Sequence, residues 1–444
     1  MIRFTQHVSC RSALPRVLRR LCGSERGNIS IITAFAMPVL LGFGALAVDV
    51  SVWLKAKNSV QGAADAAVVS LAAAVKAGDS PTRWQTEAYA TAAANGYTNG
   101  QNGVAVAVNN PPVSPSAFAG NVDAYEVAIS QPQKLYLAQV FGAKFGLLPP
   151  TVTSRAVALV KRNSPTCLLA LDNTNPPPPN GTLNTSGGAI LTSHKCAVFD
   201  DSTGSKSINT AGGGSITASY VGTMGNYYGN VVAQDPPGTV QTGARYVADP
   251  YRYTRSIPPI PPYKSSNGKW DRANYPTGVI ANPTGVIAYR GTQTVNDNIT
   301  LAPGIYIIAD GSLNLTNNNS LSGTGVTIIL TSPTPSTDNG TFAFSGQVNL
   351  TAPPTGPTAG IALWADRNLP YYSDNLTGSG NTYVKGAVYL PSHQVKYAGN
   401  NQAVTNGCTQ IIAWDIIVTG TTNFYHECAN VGILDPVLSW GLVE

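Results

Sequence analysis

Charge is what this chain has least of. Only 11% of its 444 residues are Asp, Glu, Lys or Arg, against about a quarter in an ordinary globular protein. A nucleic-acid binder needs a basic footprint on a folded domain, and the net charge of +5 supplies none. Arg3, Arg11, Arg16, Arg19, Arg20 and Arg26, set against Glu25, account for all of it, and the basic and acidic side chains beyond them cancel. Histidine is nearly as scarce, limited to His7, His194, His393 and His426. No G-x-S-x-G elbow, phosphate loop or dinucleotide fingerprint occurs. Acids past residue 162 are scattered, whereas glycoside hydrolysis needs two positioned carboxylates. Asp200-Asp201 and Asp297 come nearest to an acidic calcium cluster and read as turn aspartates. The sequence therefore predicts no enzyme, no cofactor and no metal site.

Cysteine is sparse but patterned. Cys10 and Cys22 fall among the arginines, and Cys167, Cys196, Cys408 and Cys428 fall far downstream. There is no C-x-x-C pair. The spacing H-x-C occurs twice, at His194/Cys196 and His426/Cys428, but a tetrahedral zinc site clusters its ligands more tightly. In an oxidising space four cysteines imply two disulfides, with three pairings open. The local pairing, Cys167–Cys196 with Cys408–Cys428, closes loops of about 30 and 20 residues, each worth on the order of 3 kcal/mol. It would staple the first and last parts of the downstream region, where stacked strands need capping.

What the chain does have is one long apolar run. Gly27 to Val48 carry no charge, and at about 1.5 Å per residue that length crosses a hydrocarbon core of roughly 30 Å. The arginines before it resist translocation, which puts residues beyond about 55 outside. Ala45–Ala47 offers a signal-cleavage site. The run is longer than a signal core, however, and its helical pattern does not stop. Val60, Ala64, Ala67, Val68, Leu71, Ala74 and Val75 continue at three- and four-residue spacing through an alanine-rich segment of high helix propensity. One helix leaving the membrane as a stalk, ended by Asp79-Ser80-Pro81, is expected. Pro38 inside the span is expected to give a mild kink. Asp49 near its outer end reads as a carboxylate solvated at the interface, or as a contact for a partner helix.

The segment "ERGNISIITAFAMPVLLGFGALAVDVSVWLKAKNSVQGAADAAVVSLAAA" resembles the amino-terminal region of TadE/TadG-like proteins of the tight-adherence (Flp) pilus system: R-G-N, an apolar span, A-V-D, an aromatic, then an alanine-rich "VQGAADAAVVSLAAA". Pilin precursors carry Glu five residues after the cleavage glycine. Counted from Gly27 that position is Ile32, which agrees with a retained anchor. Tyr136–Gly142 and Val152–Ala158 extend the resemblance. Cys167–Asp172, Gly304–Tyr306, Leu321–Leu330, Gly386–Pro391 and the Cys408/Cys428 pair are similar to features of the β-rich ectodomains of TadG-like proteins. Some of those proteins carry a D-x-S-x-S metal site. "DVSVW" at Asp49 and "LDNTNP" at Asp172 lack its hydroxyl pair.

Past the stalk, residues 81–98 predict a short helix stopped by Asn95-Gly96. "GVAVAVNN", "AYEVAIS" and "TVTSRAVALVKR" predict strands, with an amphipathic helix over Gln133–Gly142. Composition shifts at Asn163. Beyond it short Val/Ile-rich runs recur between Gly, Asn, Thr and Pro clusters, an all-β signature. The doubled PTGVIA within Pro276–Tyr289 reads as a loop duplication. The proline clusters at Asn173–Gly181 and Asp249–Ser266 read as spacers between sheets.

The expected fold class is α+β: an N-terminal transmembrane helix and stalk, a small α/β head, and a large all-β C-terminal domain, β-helix or solenoid-like, with a β-sandwich as the alternative. The expected divisions are a basic cytoplasmic tail at 1–27, the transmembrane helix at 28–54, the stalk and head at 55–162 and a periplasmic all-β domain at 163–444. The resemblance implies a non-enzymatic scaffold of a Tad/Flp pilus assembly system in the bacterial inner membrane. Its partners would be other Tad/Flp assembly proteins and the outer-membrane secretin, with no nucleic acid. The alternatives are an anchored carbohydrate-binding or carbohydrate-active β-helix, with Tyr227, Tyr228, Tyr251, Tyr253, Trp364, Tyr371 and Tyr372 stacking on a polysaccharide, and a pilus-tip adhesin.

Overall fold

The structure, a computed structural model, describes residues 25–134, 136, 150–161, 165–174, 177–179, 181–316, 318–334, 340–377, 383–398 and 407–444. The tail with Cys10 and Cys22, and most of the helix expected over 133–142, lie outside the described residues.

The apolar run and the alanine-rich stalk form one helix, α1 (Glu25–Lys76). Pro38 lies within it without ending it. A second helix, α2 (Pro81–Ala94), follows at once. Ser80 caps it, in extended conformation, by accepting the Arg83 N–H at 3.3 Å, and proline fills the first turn. Asn95 closes it, and Gly96 follows at φ 92°, a left-handed value that glycine adopts without strain.

Three strands, β1 (Ala105–Asn109), β2 (Ala124–Pro132) and β3 (Thr151–Lys161), pair antiparallel. The chain's last strand, Ser439–Leu442, pairs antiparallel with β3. The small sheet therefore draws on both sides of the composition shift at Asn163. Its inner face, including Val106, Val127, Ile129, Ala156, Ala158 and Val160, packs on Val60, Ala64, Ala67, Val68 and Leu71 of α1 and on Trp84, Ala88 and Ala92 of α2. The stalk is thus one layer of the head, because its apolar stripe needs a sheet to cover it.

The body beyond residue 165 is a 21-stranded sheet in which every pairing between strands is parallel. Over most of its length each strand bonds to the third strand after it, which builds three ladders. One stacks Val279–Ile280, Ile299–Leu301, Ser320–Thr324 and Gln347–Thr351. The next stacks Val286–Arg290, Gly304–Ala309, Val326–Thr331 and Ile361–Ala365. The last stacks Lys269–Trp270, Gln293–Val295, Leu313–Leu315, Phe342–Phe344 and Ser373–Leu376. Inward residues such as Trp270, Tyr289, Leu301, Tyr306, Leu315 and Phe344 form one continuous core. The second ladder is buried on its outer side too, under Val247 and Tyr251 of the returning chain and Leu434 and Leu438 near the carboxyl end.

The order of strands is not the order of the chain. Thr409–Tyr425, the last long strand, pairs on one side with Tyr383–Ala398 and on the other with Thr166–Ala170 and Leu183–Asp200, the first two of the body. The chain therefore enters mid-body, builds outward through Ile208–Thr210, Ser215–Thr223 and Asn230–Ala233, and crosses back through its proline-rich segment. It then builds from the other end inward to a seam with its own beginning.

The doubled PTGVIA is a correction to the loop expectation. Its copies supply strands Val279–Ile280 and Val286–Arg290 of two adjacent ladders. Gly278 and Gly285 take nearly the same left-handed turn, φ 71° and 77°. Both ends are blunted by side chains, as exposed parallel edges require. The Lys269 N–H donates to Asn267 Oδ1 and its carbonyl accepts from Asn274 Nδ2, each at 3.1 Å. The Val279 N–H donates to Thr277 Oγ1 at 3.3 Å, and the Tyr227 N–H to Asn226 Oδ1 at 3.2 Å.

Candidate functional site

The sequence points to the anchor and the cysteines, and the structure places them far apart in the fold. Along α1 the chemistry changes at about residue 55. Ile32, Phe35, Leu40, Leu41, Phe43 and Leu46 are exposed, a pattern that lipid or another helix satisfies and water does not. From Val60 onward the apolar residues are buried on the sheet. This is the one helix among the described residues long and apolar enough to cross a membrane. Pro38 is exposed within it.

Asp49 corrects the expectation of a solvated carboxylate. It is 0% exposed, and its Oδ1 accepts the Tyr136 N–H at 3.3 Å. One turn on, Trp53 Nε1 donates to the Lys134 carbonyl at 3.3 Å. The segment after β2 thus returns to the helix where the apolar stretch ends, a contact spanning 87 residues that no local pattern reveals. Asp49→Ala takes the acceptor from the Tyr136 N–H and removes a carboxylate from a fully buried site. It is expected to cost about 1 kcal/mol and to speed proteolytic nicking beside Lys134 and Tyr136, read by limited proteolysis.

The cysteines pair locally, Cys167–Cys196 and Cys408–Cys428, with Cα separations of 5.6 and 4.9 Å. Their place differs from the expected capping role. Cys167 and Cys196 lie on Thr166–Ala170 and Leu183–Asp200, and Cys408 and Cys428 flank Thr409–Tyr425, so each bond fixes one side of the seam: the first ties the two opening strands together, the second ties the ends of the closing strand, and neither crosses it. The two histidines beside them serve packing and pairing. His194 stacks on Tyr425 with centroids 4.4 Å apart, and His426 Nε2 lies 3.2 Å from Asp435 Oδ1.

The acids accept hydrogen bonds from nearby turns and neighbouring strands. Asp297 accepts the Arg272 N–H at 2.8 Å. Asp200 accepts from Thr182 Oγ1 at 2.6 Å and from the Ser202 N–H at 2.8 Å. Burial pushes Asp200 up to about 7. Among the described residues no group of three or more His, Cys, Asp or Glu is placed to hold a metal ion. Of the aromatics proposed to stack on sugars, Tyr227, Tyr228, Tyr253 and Tyr371 are exposed. Tyr251 and Trp364 are not, at 0% and 5% exposure. Tyr251 from the returning chain and Trp364 from the body both pack against Tyr389.

Two polar arrangements escaped the sequence because their members lie far apart in it. Arg367 Nη2 bonds to Asp249 Oδ2, and Tyr389 donates its hydroxyl to the same oxygen at 2.8 Å. This pins the returning chain to the body. Asp374 Oδ2 and His393 Nδ1 meet at 2.7 Å with both side chains fully buried, and burial raises Asp374 above its ordinary range. A cavity of about 190 Å³ at the head–body junction is lined by Asp79, Trp84, Tyr125, Asp249 and Tyr253 among others.

An apolar helix, long enough by its length and composition to cross a membrane, runs on into a packed alanine-rich stripe and carries a strand-rich body, the arrangement of a membrane-anchor candidate. Residues 27–75 match the model of the putative Flp pilus-assembly family, TadE/G-like. The match covers the membrane span and the buried stripe of α1, the segment that carried the resemblance in the sequence. No curated protein and no solved structure matches the chain.

Proposed function

We propose that this protein is a non-enzymatic, membrane-anchored scaffold of a Tad/Flp-type pilus assembly system. The observation that carries the reading is the family match over residues 27–75, coinciding with a helix whose first half exposes apolar side chains and whose second half is built into the head. A force or a partner acting on the anchor is thereby transmitted rigidly to the sheet. The arginines ahead of the span support a cytoplasmic amino terminus, with the body in the periplasm of a bacterial inner membrane. The division into tail, anchor, stalk-and-head and body follows the same logic.

The three parallel ladders support reading the body as one β-helix rather than a sandwich, since sandwiches are built from antiparallel hairpins. Such a coil offers long flat sides to other pilus-assembly proteins and reaches toward the outer-membrane secretin. Photo-crosslinking amino acids placed at Leu46 and Leu54 test the role in cells. Cross-links to other Tad/Flp assembly proteins are expected, and capture of lipid alone at both positions would contradict a scaffold acting through its anchor.

A further inference from the structure

The seam that closes the body is also where buried carboxylates gather. Ala413 of the last long strand lies opposite Ala170, and Ala170 lies opposite Asp200 on the next strand. Asp415 and Asp172 each follow two residues after those alanines. Asp415 and Thr182 are neighbours across the same seam, where the Ile416 N–H donates to the Thr182 carbonyl at 2.7 Å. Asp415 belongs to the half of the body built last, and Asp172 and Asp200 to the half built first. Exposures are 9%, 4% and 2% respectively.

The groups that face these acids are neutral or acidic. Thr182 Oγ1 and the Ser202 N–H bond to Asp200, and the Thr174 N–H bonds to Asp172 at 2.8 Å. The exposed Tyr371 donates its hydroxyl to Asp415 at 2.8 Å, with the Gln394 side chain alongside. Asp201, next in the chain, accepts the Val247 N–H at 2.9 Å and faces Asp249 and Tyr246 of the returning chain. Arg252 and Arg367 are the cations facing Tyr246 on that side, and Arg367 is engaged by Asp249 and Tyr389. The register sets Asp415 level with Asp172 on the adjacent strand, about one strand spacing, roughly 5 Å, away, with Asp200 on the next strand and two residues back, and like charges so gathered are destabilising when ionised together.

We propose that the seam is a proton-dependent latch: with its carboxylates protonated it holds the two halves of the body together, and with them ionised it loosens. Desolvation raises Asp200 to about 7 and Asp415 to about 6, from an ordinary 3.8. Folding thus favours the protonated forms. Their stabilisation is whole below about pH 4 and drains away as pH rises through about 6 and 7, the reverse of an ordinary ion-paired carboxylate.

Hydrogen exchange on the full chain in detergent, corrected for intrinsic rates, tests this at pH 5.5 and 8. Opening of amides in residues 166–170, 183–185 and 409–419 is expected to rise on the order of tenfold at pH 8, while residues 299–330 change little. Asp200→Asn keeps an acceptor for the Ser202 N–H and presents an amide donor to Thr182 Oγ1, whose hydroxyl can turn to accept it, and it should flatten the difference. Asp415→Asn should do the same and serves if the first variant misfolds. Equal protection of the seam at both pH values would overturn the latch. So would a rise spread evenly over all strands, or undiminished pH dependence in both variants.

Discussion

Replacing Trp270 by alanine is expected to cost about 3–5 kcal/mol, the usual range for emptying a large aromatic site in a packed core. The side chain is 0% exposed and closes the core at one end of the body. Its ring centroid lies 5.4 Å from that of Tyr289 and 6.3 Å from that of Tyr306. At about 2–4 °C per kcal/mol for a unit of this size class, thermal unfolding should shift down by roughly 6–20 °C. Trp270→Phe separates packing from polarity. The indole N–H has no acceptor, so phenylalanine forfeits no hydrogen bond and should cost less than about 1.5 kcal/mol. Equal losses in the two variants would mean that ring packing does not hold this end.

Removing the seam disulfides is the other large effect. Cys167–Cys196 and Cys408–Cys428 span 29 and 20 residues, and loop-closure entropy assigns each about 3 kcal/mol. The location raises the stakes, because each bond fixes the strands on one side of the line where the start of the body meets its end. Cys167→Ser with Cys196→Ser, and Cys408→Ser with Cys428→Ser, should each lower the unfolding temperature by roughly 6–12 °C. Since both pairs act on one seam, the quadruple variant should depart from additivity. Thermal melts of the full chain in detergent, with and without reductant, read all of this. Melts indifferent to reductant would show that the ladders alone hold the seam.

Much of the helical half was legible. The uncharged run, the three- and four-residue spacing from Val60 to Val75 and the Ser80-Pro81 and Asn95-Gly96 signals are local, and α1 and α2 follow them. The all-β character of the body was legible for the same reason, since short Val/Ile runs between turn residues carry their own period. The partner of each strand was not. A two-residue period states which face is apolar and says nothing of which strand lies alongside, so the pairing of Ile411 with Leu168 has no local signal. Ser439–Leu442 is four residues with a glycine, too short to read as the fourth strand of the head. The cysteine pairs were legible by proximity, yet their position at the seam depends on the same long-range order. Asp49 misled for a related reason: a carboxylate at the end of an apolar span is ordinarily wet, and its burial comes from a segment 87 residues away.

The account stands on α1 remaining in the bilayer with the strand-rich body across it. Protease added to spheroplasts that express the full chain with a carboxyl-terminal tag tests this most directly. The tag should be lost while a membrane-bound amino-terminal fragment survives. A tag that is protected until the membrane is broken, or a tagged protein recovered in the soluble fraction with its amino terminus cut near Val48, would contradict it.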